Sequence, residues 1–253
     1  MGKFWTIVSR VIKASDVALL LLDARMIQET RNLDIEKQIR EQNVPLIYTI
    51  TKCDLVNTKS LDQWRQVLHP CVFVSSKTYQ GMNLLKQRIF GEATRAGIKK
   101  PKIFVGIFGY PNVGKSSLVN AMTGRSCAKT SNLAGVTRAK KNVTSFASGI
   151  TFVDTPGIIP LQEKDANFSK LKHAIIGAID YRAEKEPDLV ILALMDAHPG
   201  LIERNYGVSI QKDPEETLSL IANKSGFLLK RNKPDIKRVS VMLLKKWQAG
   251  EIR

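Results

Sequence analysis

Gly109, Tyr110, Pro111, Asn112, Val113, Gly114, Lys115 and Ser116 place two glycines, a lysine and a hydroxyl at the spacing of a loop that grips phosphate. The glycines let backbone N–H groups close around phosphate oxygens, and a helix beginning at Lys115 turns its positive end toward the same charge. Lys115 can then reach the terminal phosphates and the Ser116 hydroxyl can bind Mg²⁺, while Asn112, Val113, Gly114 and Ser117 complete the cradle. The context makes the signal strong, because an apolar strand-like run, Ile103 to Gly109, precedes the loop and a helical pattern, Lys115 to Thr123, follows it. Asp154, Thr155, Pro156 and Gly157 close a later strand. An acidic residue at that position supplies the second Mg²⁺ contact, and Gly157 can offer its N–H to a γ-phosphate. Between the two motifs, Thr137 is the candidate switch threonine that closes on Mg²⁺ when the third phosphate is present.

A carboxylate that accepts from both N1–H and the 2-amino group selects guanine, because adenine lacks those donors. Thr51, Lys52, Cys53 and Asp54 supply that carboxylate at the end of a strand, with the Lys52 stem expected over the ring. Ser75, Ser76 and Lys77, at the end of the next strand, fit the loop whose backbone meets the guanine oxygen. Here the base motifs come before the phosphate motifs, the reverse of the ordinary order. A sheet requires only the spatial order of its strands, and the basic stretch Arg95 to Lys102 can join the old chain ends at the surface. The new ends then fall beside Gly157.

The elements that must hold these residues follow from periodicity. Asp16 to Asp23 is continuous in apolar side chains and reads as a buried strand, followed by a helix from Leu33 to Gln42. Further strands are expected at Pro45 to Ile50, Val72 to Ser75 and Ile103 to Gly109, with helices at Leu61 to Leu68 and Met82 to Phe90 between them. Asn142 to Phe146 and Thr151 to Asp154 look like a hairpin turning at Ser148 and Gly149. Beyond Gly157 helical periods take over. Asp213 to Glu216 is a capped helix start, and Pro234 to Gln248 sets Ile236, Val239, Leu243, Leu244 and Trp247 on one stripe before Gly250 stops it. The expected class is α/β, a P-loop domain with a mostly parallel, circularly permuted sheet over residues 1–165, and a small α-helical domain over residues 166–253.

Composition narrows the partners. The chain has 253 residues, 43% of them apolar, and 39 Lys and Arg against 23 Asp and Glu leave a formal charge of +16. From Ala93 to Val153 there are ten Lys or Arg and no acidic residue, more than one nucleotide needs. A polyanion is the expected partner. Cys53, Cys71 and Cys127, like His69, His173 and His198, are too scattered for a disulfide framework or a metal site. No apolar stretch is long enough to span a bilayer and the first residues lack a secretion pattern, so the expectation is cytoplasmic, without a membrane.

With these motifs the chain resembles the circularly permuted GTPases of the YlqF type, the ribosome biogenesis GTPase A family with its archaeal and organellar relatives. Leu22, Asp23, Ala24 and Arg25, then Arg31 and Asn32, look like the family's first strand and loop; Ile176 to Ile179 looks like its segment after the switch, and residues 166–253, with Arg204, Tyr206, Gly207 and the final amphipathic helix, are similar to its helical RNA-binding domain. The resemblance implies GTP and GDP as ligands, slow GTP hydrolysis with Mg²⁺, and action on the large ribosomal subunit and rRNA by a monomer, with no DNA partner. Asn112 is similar to the asparagine that holds K⁺ against the phosphates in related GTPases, so K⁺ and Asn112 join Lys115, Thr137 and Gly157 as the implied catalytic set. Thr51 stands where asparagine is more usual, which should weaken the tie between the nucleotide loops. The N-terminal Phe-Pro-Gly-His segment of bacterial relatives is missing, with Phe4 and Trp5 near its place, and Ile158 stands where other GTPases carry a water-orienting glutamine.

Overall fold

The computed structural model describes residues 3–124, 141–145, 149–155, 157–160, 163 and 167–252. The chain divides into two compact units, Met1–Lys164 and Asp165–Arg253.

In the first unit, the described strands form one sheet in the order β3-β2-β1-β4-β6-β5. They are β1 (Val17–Asp23), β2 (Leu46–Thr51), β3 (Cys71–Phe73), β4 (Ile103–Phe108), β5 (Lys141–Ser145) and β6 (Ile150–Asp154). The pairs β3/β2, β2/β1, β1/β4 and β4/β6 are parallel and β5/β6 is antiparallel. Every residue of β1 is buried, which its unbroken apolar run requires of a central strand covered on both faces. Parallel pairing sends the C-terminal ends of β1, β2, β3, β4 and β6 to one edge, where the loops carrying the motifs emerge. The 3₁₀ turn at Thr58–Leu61 and the helices α2 (Leu33–Glu41), α3 (Asp62–Val67), α4 (Met82–Arg95) and α5 (Lys115–Thr123) fill the connections.

Helix α1 (Lys3–Lys13) was not foreseen as an element. Its Trp5, Val8, Val11 and Ile12 are buried in the cluster that also holds Leu20, Leu22 and Phe108. Their three- and four-residue spacing is helical, a signal present in the sequence. Strand β3 also ends at Phe73 rather than Ser75: Val74 N still donates to the Ile50 carbonyl at 2.8 Å, but Ser75 donates its N–H to the Gln80 carbonyl at 3.0 Å to begin a loop.

The second unit is helical among its described residues, with α6 (Asn167–Ile175), α7 (Pro187–Ala197), α8 (Leu201–Tyr206), α9 (Pro214–Lys224) and α10 (Ile236–Ala249). Val239, Leu243, Leu244 and Trp247 of α10 are buried as the stripe predicts. Helix α10 begins at Ile236 rather than Pro234, because the Asp235 carboxylate accepts from Arg238 N at 3.0 Å and caps it there, while Pro234 bridges back to Leu228. Near its other end the Trp247 indole donates to the Ile175 carbonyl at 2.8 Å. The Gln248 amide donates to the Ala174 and Ile179 carbonyls, each at 2.9 Å, and clasps the loop after α6.

One buried network fixes the strand that leads to Thr51. The Arg31 guanidinium meets both carboxylate oxygens of buried Glu36, at 2.6 and 2.9 Å, and the Tyr48 hydroxyl on β2 donates to the same carboxylate at 2.8 Å. This pins α2 against β2. Removing one member strands the other charge, so Glu36→Ala is expected to lower stability by about 3 to 5 kcal/mol in urea unfolding of the full chain. Lys37→Ala, at an exposed pair on the same helix, should stay within about 0.5 kcal/mol.

Candidate functional site

The phosphate loop leaves β4 at Phe108 and enters α5 at Lys115. Gly109 has φ +146°, and a Cβ there would lie 2.7 Å from the Leu21 carbonyl oxygen, so only glycine lets the loop leave so close to β1. Gly114, at φ +100°, turns the chain into α5. Lys115 is buried, and its ammonium donates to the Gly109 carbonyl at 3.0 Å and the Tyr110 carbonyl at 2.6 Å. The cation therefore lies over the carbonyls of the loop backbone. Ser116 and Ser117 follow in the first turn of α5, both half-buried, and Asn112 holds φ +59° in the loop.

The switch strand lies beside this loop. Asp154 ends β6 in register with Ile107 on the neighbouring β4, which places its backbone at the same edge as Ser116. Past it, the Thr155 hydroxyl donates to the Ile107 carbonyl at 2.6 Å, and Ile158 N donates to the Gly109 carbonyl at 3.0 Å. A Cβ at Gly157 would come within 2.5 Å of Pro111 Cγ and 2.7 Å of its Cα, so this glycine is needed for the switch to lie against the phosphate loop. Ile158 is fully buried, so its side chain has no access to a nucleophilic water. The Tyr110 side chain is also fully buried; burial, then its hydrogen bond to Glu163 at 2.7 Å, pushes its hydroxyl well above the usual tyrosine range. Thr137 lies outside the described residues.

The base motif ends β2, one strand beyond β1. Buried Thr51 donates its hydroxyl to the Val113 carbonyl at 2.6 Å, with the Leu22 carbonyl 3.0 Å away. The threonine thus retains one direct tie between base strand and phosphate loop. Cys53 N donates to the Val74 carbonyl at 3.2 Å, bringing the two base loops together, and the buried Ser75 hydroxyl donates to Asp54 Oδ1 at 2.6 Å. Ser75 also accepts from the Lys77 and Thr78 N–H groups, at 3.3 and 3.2 Å. Its hydroxyl is given to aiming Asp54, so Ser75 acts as a positioning residue, while Ser76 is half-buried and Lys77 exposed beside it. Burial pushes the Cys53 thiol up to about 12, which keeps it neutral and unreactive.

Lys52 is held in the left-handed region at φ +57°. Its ammonium meets Asp23 Oδ2 at 2.7 Å, and Arg25 meets the same carboxylate with Nε on Oδ1 at 3.0 Å and Nη2 on Oδ2 at 2.8 Å. Asp23 N donates to the Thr30 hydroxyl, and Ala24 N to the Thr51 carbonyl at 2.9 Å. Burial alone would raise the Asp23 pKa, but the charges of Lys52 and Arg25 outweigh it and hold the carboxyl well below the usual range. The arrangement fixes the Lys52 stem at the mouth of the crevice.

A family model for 50S ribosome-binding GTPases matches residues 104–231, and one for RsgA GTPases matches residues 26–164. This chain belongs to the circularly permuted GTPases of the YlqF type. It is 37% identical to an uncharacterized GTP-binding protein of Methanocaldococcus jannaschii, over 97% of this chain and 65% of that protein. Nucleolar GTP-binding protein 2 of Neurospora crassa is 34% identical over 99% of this chain and 41% of its own length, and that of Saccharomyces cerevisiae 29% over 99% and 52%. The chain spans less than two thirds of the length of these relatives. The fold is that of GNP-bound YlqF from T. maritima, with TM-score 0.65 at 17% identity over 99% of this chain and 95% of that one.

In this YlqF-type GTPase, the structure joins Thr51, Asp54 and Ser75 to one another's loops, and Thr51 to Val113. Asp23 was legible only as part of the first strand, although a charge ending an apolar strand demands a partner. Among the described residues no cluster of His, Cys, Asp and Glu could hold a metal, and no helix is long and apolar enough to cross a membrane.

Asp23→Asn is expected to leave Lys52 and Arg25 short of an acceptor charge and to weaken GDP binding about tenfold by calorimetry, with reduced preference over ADP. In the unsubstituted protein the Asp23 contribution is present above the unfolded carboxyl pKa of about 3.9 and is lost as pH falls through the lower folded value, so Asp23→Asn should flatten the acid limb of stability.

Proposed function

We propose that this chain is a GTP-hydrolysing switch that acts on the large ribosomal subunit during its assembly and binds rRNA through its helical unit. The observation that supports the nucleotide reading is the bond from Thr51, three residues before Asp54, to the Val113 carbonyl of the Gly109 to Ser116 loop. The family description, the relatives' nucleolar names and the charge of +16 support the ribosomal reading. Its place of action is where ribosomal precursors are, the cytoplasm in a cell without a nucleolus.

Thr51, Lys52, Asp54, Ser76 and Lys77 would meet the base, with Ser75 aiming Asp54. Val113, Gly114, Lys115, Ser116 and Ser117 would surround the phosphates. The residues fit Mg²⁺ in that a hydroxyl, Ser116, opens α5 and a carboxylate, Asp154, ends the adjacent switch strand. Thr137 would join them when the γ-phosphate is bound. Such an ion supplies charge neutralisation at the phosphates. Lys115 and the Gly157 N–H add to that neutralisation where negative charge develops. Ile158 gives no polar group to orient water, so turnover in isolation is slow and a ribosomal particle accelerates it. Asn112 would carry K⁺ to the phosphates.

Replacing K⁺ by Na⁺ at constant ionic strength is expected to lower the hydrolysis rate by about tenfold or more, and Asn112→Ala should abolish that difference. An unchanged rate in Na⁺ removes the potassium role. The ribosomal reading is tested by sedimenting the full protein with large subunits in GTP, GDP and a non-hydrolysable analogue. Co-sedimentation that depends on the γ-phosphate is the expected result; equal recovery without subunits in all three states rejects it.

A further inference from the structure

The segment joining α9 to α10 is a small basic hairpin. Leu228 pairs antiparallel with Pro234, and Leu229 N donates to the Lys233 carbonyl at 2.7 Å. Arg231 and Asn232 form its tip, both in the left-handed region at φ +64° and +56°. The pairing leaves a three-residue loop, Lys230–Asn232, a short 3₁₀ turn in which two successive residues take that hand, and glycine or asparagine takes such positions at least cost. An arginine held there accepts backbone strain that Asn-Gly would not. What the position gains in return is a guanidinium at the summit of the turn.

The surroundings share its sign. Lys230, Arg231, Lys233, Lys237 and Arg238 are all exposed, and the nearby Asp235 is occupied in capping α10 through Arg238 N at 3.0 Å. The Arg238 guanidinium lies 5.2 Å from the centre of the Phe227 ring, which holds it at the base of the hairpin. The acidic side chains Asp213, Glu215 and Glu216 stand at the opposite end of α9, about 16 Å away along an eleven-residue helix. Five cations thus gather at the hairpin, at the end of α9 away from its carboxylates. Leu228 and Leu229, 40% and 55% exposed, are too small an apolar area to seat a bilayer.

We propose that the hairpin from Leu228 to Pro234 is the element that docks the helical unit onto the sugar-phosphate backbone of base-paired RNA, with Arg231 at the phosphates and Asn232 offering its amide to the groove edge. Base-paired RNA fits because it is read by shape and by phosphate and 2′-hydroxyl contacts, which a narrow cationic tip can reach. The inference rests on the RNA reading above and narrows it to one loop. An acidic protein would satisfy the charge, but it has no regular array of phosphates to match cations spaced on a rigid turn.

The test is fluorescence anisotropy of a labelled duplex RNA with the full protein and two variants across a salt series. Combined Lys230→Ala, Arg231→Ala and Lys233→Ala should raise Kd about tenfold or more and lower the slope of log K against log salt by about 2 to 3. Arg231→Asn with Asn232→Gly keeps a turn of the same hand without the guanidinium, and should still weaken binding about threefold to tenfold. GTP hydrolysis without RNA should be unchanged in both. If both variants bind with the Kd and salt slope of the unsubstituted protein, the hairpin is not the docking element while the RNA reading stands. If the unsubstituted protein fails to bind duplex RNA at low salt, both readings fall. Binding to phosphatidylserine vesicles that exceeds RNA binding and is lost in the triple variant assigns the surface to membranes and overturns the proposal.

Discussion

The Thr51 hydroxyl, donating to the Val113 carbonyl at 2.6 Å, joins the strand that runs into Asp54 to the loop from Gly109 to Gly114. The two are separated by 62 positions in sequence and belong to strands that are not neighbours, since β1 lies between β2 and β4. In the proposed reading a nucleotide would span the same gap, with its base at one end and its phosphates at the other. The hydroxyl therefore fixes the distance between these two segments. It is buried, where a hydrogen bond is costly to leave unmade, and Gly114 beside it would bring a Cβ to 3.8 Å from the Thr51 side chain.

Around that tie the site is made of shared partners. Ser75 connects Asp54 to the turn at Lys77 and Thr78, Asp23 connects Lys52 to Arg25, and Gly157 lies on Pro111. Each pair comes from segments far apart in the chain but adjacent at one sheet edge. That is why the permuted order is tolerated. Parallel strands whose ends meet at one edge need no particular succession, only connections long enough to return, and the helices supply those.

Much of this architecture was legible because the sheet is buried on both faces and its strands are apolar runs separated by helical periods. The permutation was legible because motifs with strict spacing keep their meaning wherever they stand. Helix α1 escaped because its four inward residues, Trp5, Val8, Val11 and Ile12, carry their helical spacing alone, mixed with Ile7 on another face. Asp23 escaped as a functional residue because its partner Lys52 is 29 positions away, and pairing across parallel strands is invisible to local pattern. Thr51 was read as a weakened form of the usual asparagine; the threonine keeps a tie to the phosphate loop because its hydroxyl reaches the loop backbone directly.

The buried Asp23–Arg25–Lys52 cluster also bears on temperature. Apolar contacts gain little strength per unit area on warming, whereas the cost of stripping water from charged groups falls, because their hydration grows less favourable as temperature rises. A clamp assembled from a dehydrated carboxylate and two cations is therefore eroded less by heat than the surrounding core. The end of β2 at Lys52 therefore gains relative to the apolar core on warming and loses that advantage in the cold.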